Sequence, residues 1–303
     1  MELPRLSASD IASALPELER VDAPLSGGQK LVFPCWLNGK RYALKVMLKT
    51  IPAISQSAQL DETTERAMRE VDLMRKFDSP YLVKMGFIGL THSTIRGQQV
   101  VYFAEEWIEG TDLKTLLQQD GPLSPEDVIQ LGLEIAEGID LLWTKDIVHR
   151  DIKPGNIMRR ATAGMATTGT YALLDMGIAL DLTDISLTRT GHIAMTPAYA
   201  SPEQLDLTRK RELDCRSDLF ALGIVLYEAL TGKHPFQLSG ASAVPVIYLI
   251  QNAPLRPPSR IRPDVPPRLN TVISRLLEKK PHLRYKDCGA CQRALDNARP
   301  KGK

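Results

Sequence analysis

Between Ile147 and Met158 the chain reads IVHRDIKPGNIM. The eight positions from His149 to Asn156 hold a histidine, an arginine, a carboxylate, a lysine and an amide. Asp151 can accept a proton or orient a hydroxyl, and Lys153 can carry positive charge to the same place. Asn156 offers an amide oxygen, a hard ligand suited to Mg²⁺. A second carboxylate, Asp175, follows the apolar Leu173-Leu174 and precedes Met176-Gly177, so it stands at a strand end with room for a turn. Two oxygen ligands, a lysine and a base fit phosphoryl transfer, where catalysis is mainly positioning and charge neutralisation. The competing reading is a polar loop that caps a helix. It requires both the order and the spacing of these groups to be accidental.

Such groups need elements to hold them. Short β-like runs dominate the first hundred residues: Leu31–Leu37, Arg41–Leu48, Tyr81–Gly89 and Gln99–Trp107. Asn38-Gly39 between the first two is a two-residue hairpin turn. One helix interrupts them, from about Glu62 to Phe77, with Ala67, Val71 and Met74 at helical spacing. From Thr111 onward helices take over. Ser124-Pro125-Glu126-Asp127 opens one of them with an N-cap, a proline in the first turn and acids beside it. Its apolar stripe is Val128, Leu131, Ile135, Ile139 and Leu142. Another helix runs from about Ser217 to Leu230 and stops at Thr231-Gly232. A final pair covers about Leu269–Glu278 and Asp287–Ala298, after a proline-rich connector at 252–268. The pattern is a small β-rich lobe followed by a larger helical lobe, with a hinge near 106–110.

Composition narrows the function classes. The chain has 303 residues, 43% hydrophobic and 24% charged, which suits a globular protein with a sizeable core. The net charge of +2, from 38 basic and 36 acidic residues, is no nucleic-acid footprint. Glu2, Arg5, Asp10, Glu17 and Glu19 leave no apolar leader core, and the longest apolar stretch is broken by Gly223 and Glu228. The expectation is a cytoplasmic protein without membrane or nucleic-acid partners. Cys288 and Cys291 form a C-G-A-C pair with no second pair at zinc spacing, so two cysteines one helical turn apart are expected rather than a metal site.

The run from His149 to Asn156, with Asp175-Met176-Gly177, resembles the catalytic loop and metal motif of eukaryotic-type (Hanks-type) serine/threonine protein kinases. The resemblance extends over about residues 20–298 and is similar in flavour to bacterial members. It implies an α+β, two-lobed kinase fold. Residues 1–20 would be an N-terminal extension, about 21–107 the N-lobe with one key helix, about 108–298 the helical C-lobe, and 299–303 a tail. It implies that Asp151, Lys153 and Asn156 are catalytic and that Asn156 and Asp175 hold Mg²⁺, with Mn²⁺ as the alternative ion. ATP would be the phosphate donor. Ala43-Leu44-Lys45 resembles the third-strand lysine motif: Lys45 would hold the α- and β-phosphates and pair with Glu70, with Glu65 as the second candidate. Gly27, Gly28, Val32, Ala43, Asp112 and Met158 would line the nucleotide, and backbone groups of Glu106 and Ile108 would pair with adenine. For Asp112, ribose contact and a plain helix-capping role both remain open. Ser201-Pro202-Glu203 resembles the end of an activation segment, with Arg284 placed to pair with Glu203 and Asp218 opening the central helix. Thr188 and Thr190 resemble bacterial autophosphorylation sites whose phosphate Arg150 would receive, and Thr196 would bridge Asp151 and Lys153.

The sequence also departs from the family pattern. In Leu25-Ser26-Gly27-Gly28-Gln29-Lys30-Leu31-Val32, leucine and lysine replace the first and third glycines of the phosphate loop. The loss weakens nucleotide binding, although Lys30 adds a charge. Met176 replaces phenylalanine and can still pack. Glu105 falls at a pocket position that is normally apolar or hydroxylated; either the register is displaced by one residue or Glu105 has a partner. Gly155 stands where kinases selecting basic peptides often carry an acid. Three functions compete: an active protein kinase, a pseudokinase scaffold, and a kinase for small molecules. The intact Ser201-Pro202-Glu203 segment favours protein substrates. A separate regulatory protein and a homodimer are the other expected partners.

Overall fold

The computed structural model describes residues 4–27, 30–49, 62–161, 170–176, 180–181, 197–206, 213–237 and 246–300. The chain divides into two units. The smaller comprises Met1–Glu109 with Asp175–Gly177, and the larger comprises Gly110–Leu174 with Ile178–Lys303.

The small unit begins with α1 (Ala8–Ala14), then β1 (Arg20–Val21), β2 (Leu25–Gly27), β3 (Lys30–Leu37), β4 (Lys40–Leu48), α2 (Glu62–Lys76), β5 (Thr91–Ile95) and β6 (Gln98–Glu106). Among the described residues the strands form one antiparallel sheet in the order β1-β3-β4-β6-β5, with β2 also paired to β3. The β3–β4 hairpin turns at Asn38-Gly39, where both residues have positive φ, 53° and 68°. That is the conformation whose twist matches the flanking strands.

The two-residue period of the strands sorts their side chains. Leu31, Phe33, Cys35, Leu44, Val46, Val100, Tyr102 and Ala104 form one buried cluster, together with Leu6, Ile11, Leu15 and Leu18 from the α1 region. The intervening positions, including Val32, Ala43, Lys45, Phe103 and Glu105, belong to the opposite face. Helix α2 packs on β6, with Ala67, Val71 and Met74 buried as their spacing predicts.

One expected strand is corrected. Residues 81–89 do not form a regular strand; Met85 makes an isolated bridge with Glu105. Three backbone bonds tie this stretch to β6: Gly86 N donates to Ala104 O, Ala104 N to Ile88 O, and Glu106 N to Lys84 O. A Cβ on Gly86 would lie 2.8 Å from the backbone carbon of Ala104, so the close passage depends on glycine. The regular partner of β6 on this edge is β5, reached through the unexpected turn Arg96-Gly97.

The large unit continues with β7 (Gly110–Asp112), α3 (Leu113–Asp120), α4 (Pro125–Trp143), β8 (Ile147–Val148), β9 (Ile157–Arg160), β10 (Tyr171–Leu173), β11 (Leu180–Asp181), α5 (Pro202–Leu205), α6 (Cys215–Thr231), α7 (Val246–Asn252), α8 (Pro267–Leu276) and α9 (Cys288–Asp296). Helix α4 starts where its sequence says: Ser124 Oγ accepts from Asp127 N at 3.1 Å, and all five stripe residues are buried. It packs on α6 and α9. Helix α6 is buried along nearly its whole length and stops at Gly232, which is left-handed at φ 68°. The connector at 252–268 is less extended than expected, since it contains a 3-10 turn at Pro258–Arg260. Short strands then form a three-stranded sheet, β10-β9-β7, and a pair, β11-β8.

Candidate active site

The segment after β8 is a loop held from three sides. Asp218, in the first turn of α6, accepts from the backbone N–H groups of His149 at 2.7 Å and Arg150 at 2.9 Å. These bonds fix the chain just before Asp151, and Arg150 is held there at a positive φ of 68°. Burial pushes the Asp218 carboxyl up, opposed by His149 and by the two backbone bonds. His149 Nδ1 accepts from Asp151 N at 3.3 Å, and its Nε2 faces Leu174 O at 3.2 Å. A hydrogen on Nε2 satisfies both contacts. Leu174 N in turn donates to Asn156 O at 2.8 Å. The histidine thus links the loop to Leu174, just past the end of β10.

Asp151 itself is 6% exposed, and its Oδ2 receives two donors. Lys153 Nζ lies 2.6 Å away and Asn156 Nδ2 2.9 Å away. Asn156 Nδ2 also donates to Asp151 O at 2.9 Å. A carbonyl can only accept, so the amide orientation is determined: Nδ2 is the donor here and Oδ1 is the amide's acceptor atom. A carboxylate held by an ammonium and an amide is pre-positioned to orient a hydroxyl and take its proton.

Two further features of the large unit lie beside this loop. Arg150 is 8% exposed, and its Nε and Nη2 have no hydrogen-bond partner among the described residues. Burial lowers its pKa against the opposing charge of Asp218. Glu203 forms a two-pronged pair with Arg284, at 2.6 and 2.9 Å, and also accepts from Ser217 Oγ at 2.8 Å. Gln204, the next residue, donates to Arg150 O at 3.3 Å.

The small unit carries a second charged group. Lys45 Nζ donates to Glu70 Oε1 at 2.7 Å, whereas Glu65 pairs with Arg69 at 3.7 Å. Glu105 Oε2 lies 2.6 Å from Lys45 Nζ, off the line of a hydrogen bond. The sheet register makes this contact unavoidable: Glu105 is opposite Ala43, so Lys45 is its diagonal neighbour on the same face. Of the two readings left open for Glu105, the structure selects the partner. Burial acts to lower the Lys45 pKa, but Glu105, Glu70 and Asp175 outweigh it and hold the ammonium well above its ordinary range. Burial raises the Glu105 pKa, and Lys45 opposes that rise. Asp175, at φ 58°, accepts from Lys30 Nζ at 2.7 Å. Only the extra charge of Lys30 was visible beforehand; its partner, 145 residues away, was not.

The other expected site residues are placed as follows. Gly27 pairs with Lys30 and Val32 with Lys45 in their ladders, and Ala43 is buried between β3 and β6. Glu106 ends β6, and Ile108 is buried. Asp112 caps α3, accepting from Thr115 N at 2.9 Å and Thr115 Oγ1 at 2.7 Å. It pairs in register with Met158 across β7 and β9. Met176 is fully buried. Gly28, Thr188, Thr190 and Thr196 lie outside the described residues. All four cysteines are free and buried. Burial pushes the Cys291 thiol up to about 12, and hydrogen bonding with Cys215, then burial, raises Cys288. Among the described residues no three His, Cys, Asp or Glu side chains form a metal site by themselves.

The family description "Protein kinase domain" matches residues 26–296. The chain belongs to the protein kinase family. The resemblance read from the catalytic loop and the α+β fold class both stand. Curated relatives of this kinase domain include the serine/threonine-protein kinase PknH of Mycobacterium bovis, 33% identical over 264 residues, which are 87% of this chain and 41% of that protein. PknB of Mycolicibacterium smegmatis is 37% identical over 186 residues, 61% of this chain and 28% of that protein. The chain thus spans less than half the length of either. The kinase domain of Mycobacterium tuberculosis PknI has the same fold, with a TM-score of 0.62 at 23% identity, covering 93% of this chain and 96% of that one. No helix among the described residues is long and apolar enough to cross a membrane.

Proposed function

We propose that this kinase domain transfers the γ-phosphoryl group of ATP to serine and threonine hydroxyls of proteins. The observation that carries the reading is the Asp151 carboxylate, held at 2.6 Å by Lys153 and at 2.9 Å by Asn156. Asp151 orients the acceptor hydroxyl and takes its proton as the oxygen attacks. Lys153 neutralises charge on the phosphoryl group in transfer, and Lys45, steadied by Glu70, binds the other phosphates. Asn156 Oδ1 and the Asp175 carboxylate are hard oxygen donors that suit Mg²⁺, an ion that takes its remaining ligands from phosphates and water. When bound, Mg²⁺ neutralises phosphate charge. By the family resemblance, Ala43 and Val32 of the small unit would line the adenine, and the backbone of Glu106 and Ile108 would pair with it. Free buried cysteines and ATP as donor suit a cytoplasmic setting.

The Nε and Nη2 of buried Arg150, without a partner among the described residues, support a regulatory step: phosphate on Thr188 or Thr190 supplies their acceptor. The test is purified protein with labelled ATP and Mg²⁺ beside Asp151→Asn, with phosphosites mapped by mass spectrometry. The expected result is label on Thr188 or Thr190 that falls at least about a hundredfold in the variant. Equal label in both proteins, or none in either with a generic protein substrate added, sinks the reading.

A further inference from the structure

Lys30 stands where the phosphate-loop pattern has its last glycine, and its ammonium is already placed. It sits 2.7 Å from Asp175 Oδ1 and 3.8 Å from Glu70 Oε1, with its side chain 17% exposed. Lys45 is engaged by Glu70 at 2.7 Å and Glu105 at 2.6 Å, and it acts on Asp175 through its charge. The cluster therefore contains two ammoniums and three carboxylates. Each carboxylate has an ammonium within 2.7 Å, and the one at Asp175 belongs to Lys30.

We propose that Lys30 couples the divalent cation to the nucleotide. It holds the Asp175 carboxylate as a tethered cation and yields it only when phosphates arrive to receive the ammonium. The idea rests on the reading of Asp175 as a metal ligand. A free divalent ion must displace an ammonium at hydrogen-bond distance, which weakens its binding. An ion arriving with a nucleotide brings phosphate oxygens, and a flexible lysine stem with a compact charge can swing onto them. The exchange leaves every charge paired: the metal with Asp175 and phosphate, Lys30 with phosphate. A glycine at this position would bring no ammonium to Asp175. Lys30 is thus a positioning residue that makes cation binding conditional on nucleotide, and the two affinities are linked reciprocally.

The test measures Mn²⁺ binding to the purified full chain by electron paramagnetic resonance, with and without a non-hydrolysable ATP analogue. Wild type is compared with Lys30→Met, and with Lys30→Gln should the first fail to fold. The expected result is free Mn²⁺ binding at least about tenfold tighter in the variant, with the enhancement by nucleotide reduced by a similar factor. Adding Asp175→Asn to Lys30→Met should remove the gain. Free Mn²⁺ affinity within about twofold of wild type, an unchanged nucleotide enhancement, or a gain that survives Asp175→Asn each overturns the proposal. A tenfold gain in a protein without Asp151-dependent phosphotransfer sinks the catalytic reading alone. Phosphotransfer with no change in Mn²⁺ binding sinks the coupling alone.

Discussion

Lys45 is the residue on which the small unit's charge balance turns. Its ammonium is 4% exposed and offsets Glu70 and Glu105, which are nearly as buried. Lys45→Met leaves both carboxylates uncompensated apart from Lys30, and the expected cost is roughly 3–5 kcal/mol in urea unfolding. A loss below about 1 kcal/mol would mean that the cluster is open to water. Glu105 has a distinct signature. Its folded pKa is raised by burial, so the proton favours the folded state. Its contribution is full below the unfolded value of about 4.3 and is lost as pH rises through the folded value. Glu105→Gln cannot titrate, so its melting temperature should fall less than wild type's between pH 4 and pH 8. Parallel curves would count against the raised pKa.

At the scale of elements, local signals placed the helices well. Ser124 with Pro125, and Gly232 after Thr231, mark helix ends through caps that act within one turn. Strands were harder, because their partners lie elsewhere in the chain. Residues 81–89 have the composition of a strand yet run along β6 with broken regularity, and Gly86 is the reason that they fit. Gly86→Ala would force a Cβ to within 2.8 Å of Ala104 backbone. The expected destabilisation is about 1–3 kcal/mol by urea denaturation, since the obstacle is backbone and not a flexible side chain. An unchanged midpoint would show that the segment can move away from β6 without cost.

At the scale of the whole molecule, one long-range tie is ionic and fully buried. Glu203 and Arg284 meet across 81 positions, each with its side chain at 0% exposure. Burial works to raise the Glu203 pKa, but Arg284 outweighs it, aided by Ser217, so the folded value is depressed. The stability it contributes is present above the unfolded value of about 4.3 and is lost as pH falls through the folded value. Glu203→Gln should be less stable at neutral pH and should lose less on acidification from pH 5 to pH 3 than wild type. Equal acid sensitivity of the two proteins by thermal unfolding would remove Glu203 from the account. The α1 region is a second tie. Residues taken for an extension bury Leu6, Ile11, Leu15 and Leu18 in the small unit's core, so their apolar faces are already occupied.

The catalytic loop was legible because its groups are close in sequence. From His149 to Asn156 the chain can bring Asp151, Lys153 and Asn156 together by local turns alone, and order and spacing carried the chemistry. Glu70 was legible for a similar reason: helical periodicity sets it beside Ala67, Val71 and Met74, the buried stripe of α2. What the sequence left open was each contact set by register or by a distant partner. Whether Glu105 was misaligned or paired depended on its alignment opposite Ala43, and a shift of one residue would have turned it to the other face. Lys30 announced only a charge. Its bond to Asp175 spans 145 positions and exists because the folded chain returns there. Residue type and local spacing determined the chemistry available to this protein, while pairing register and long-range return of the chain decided which charges face one another.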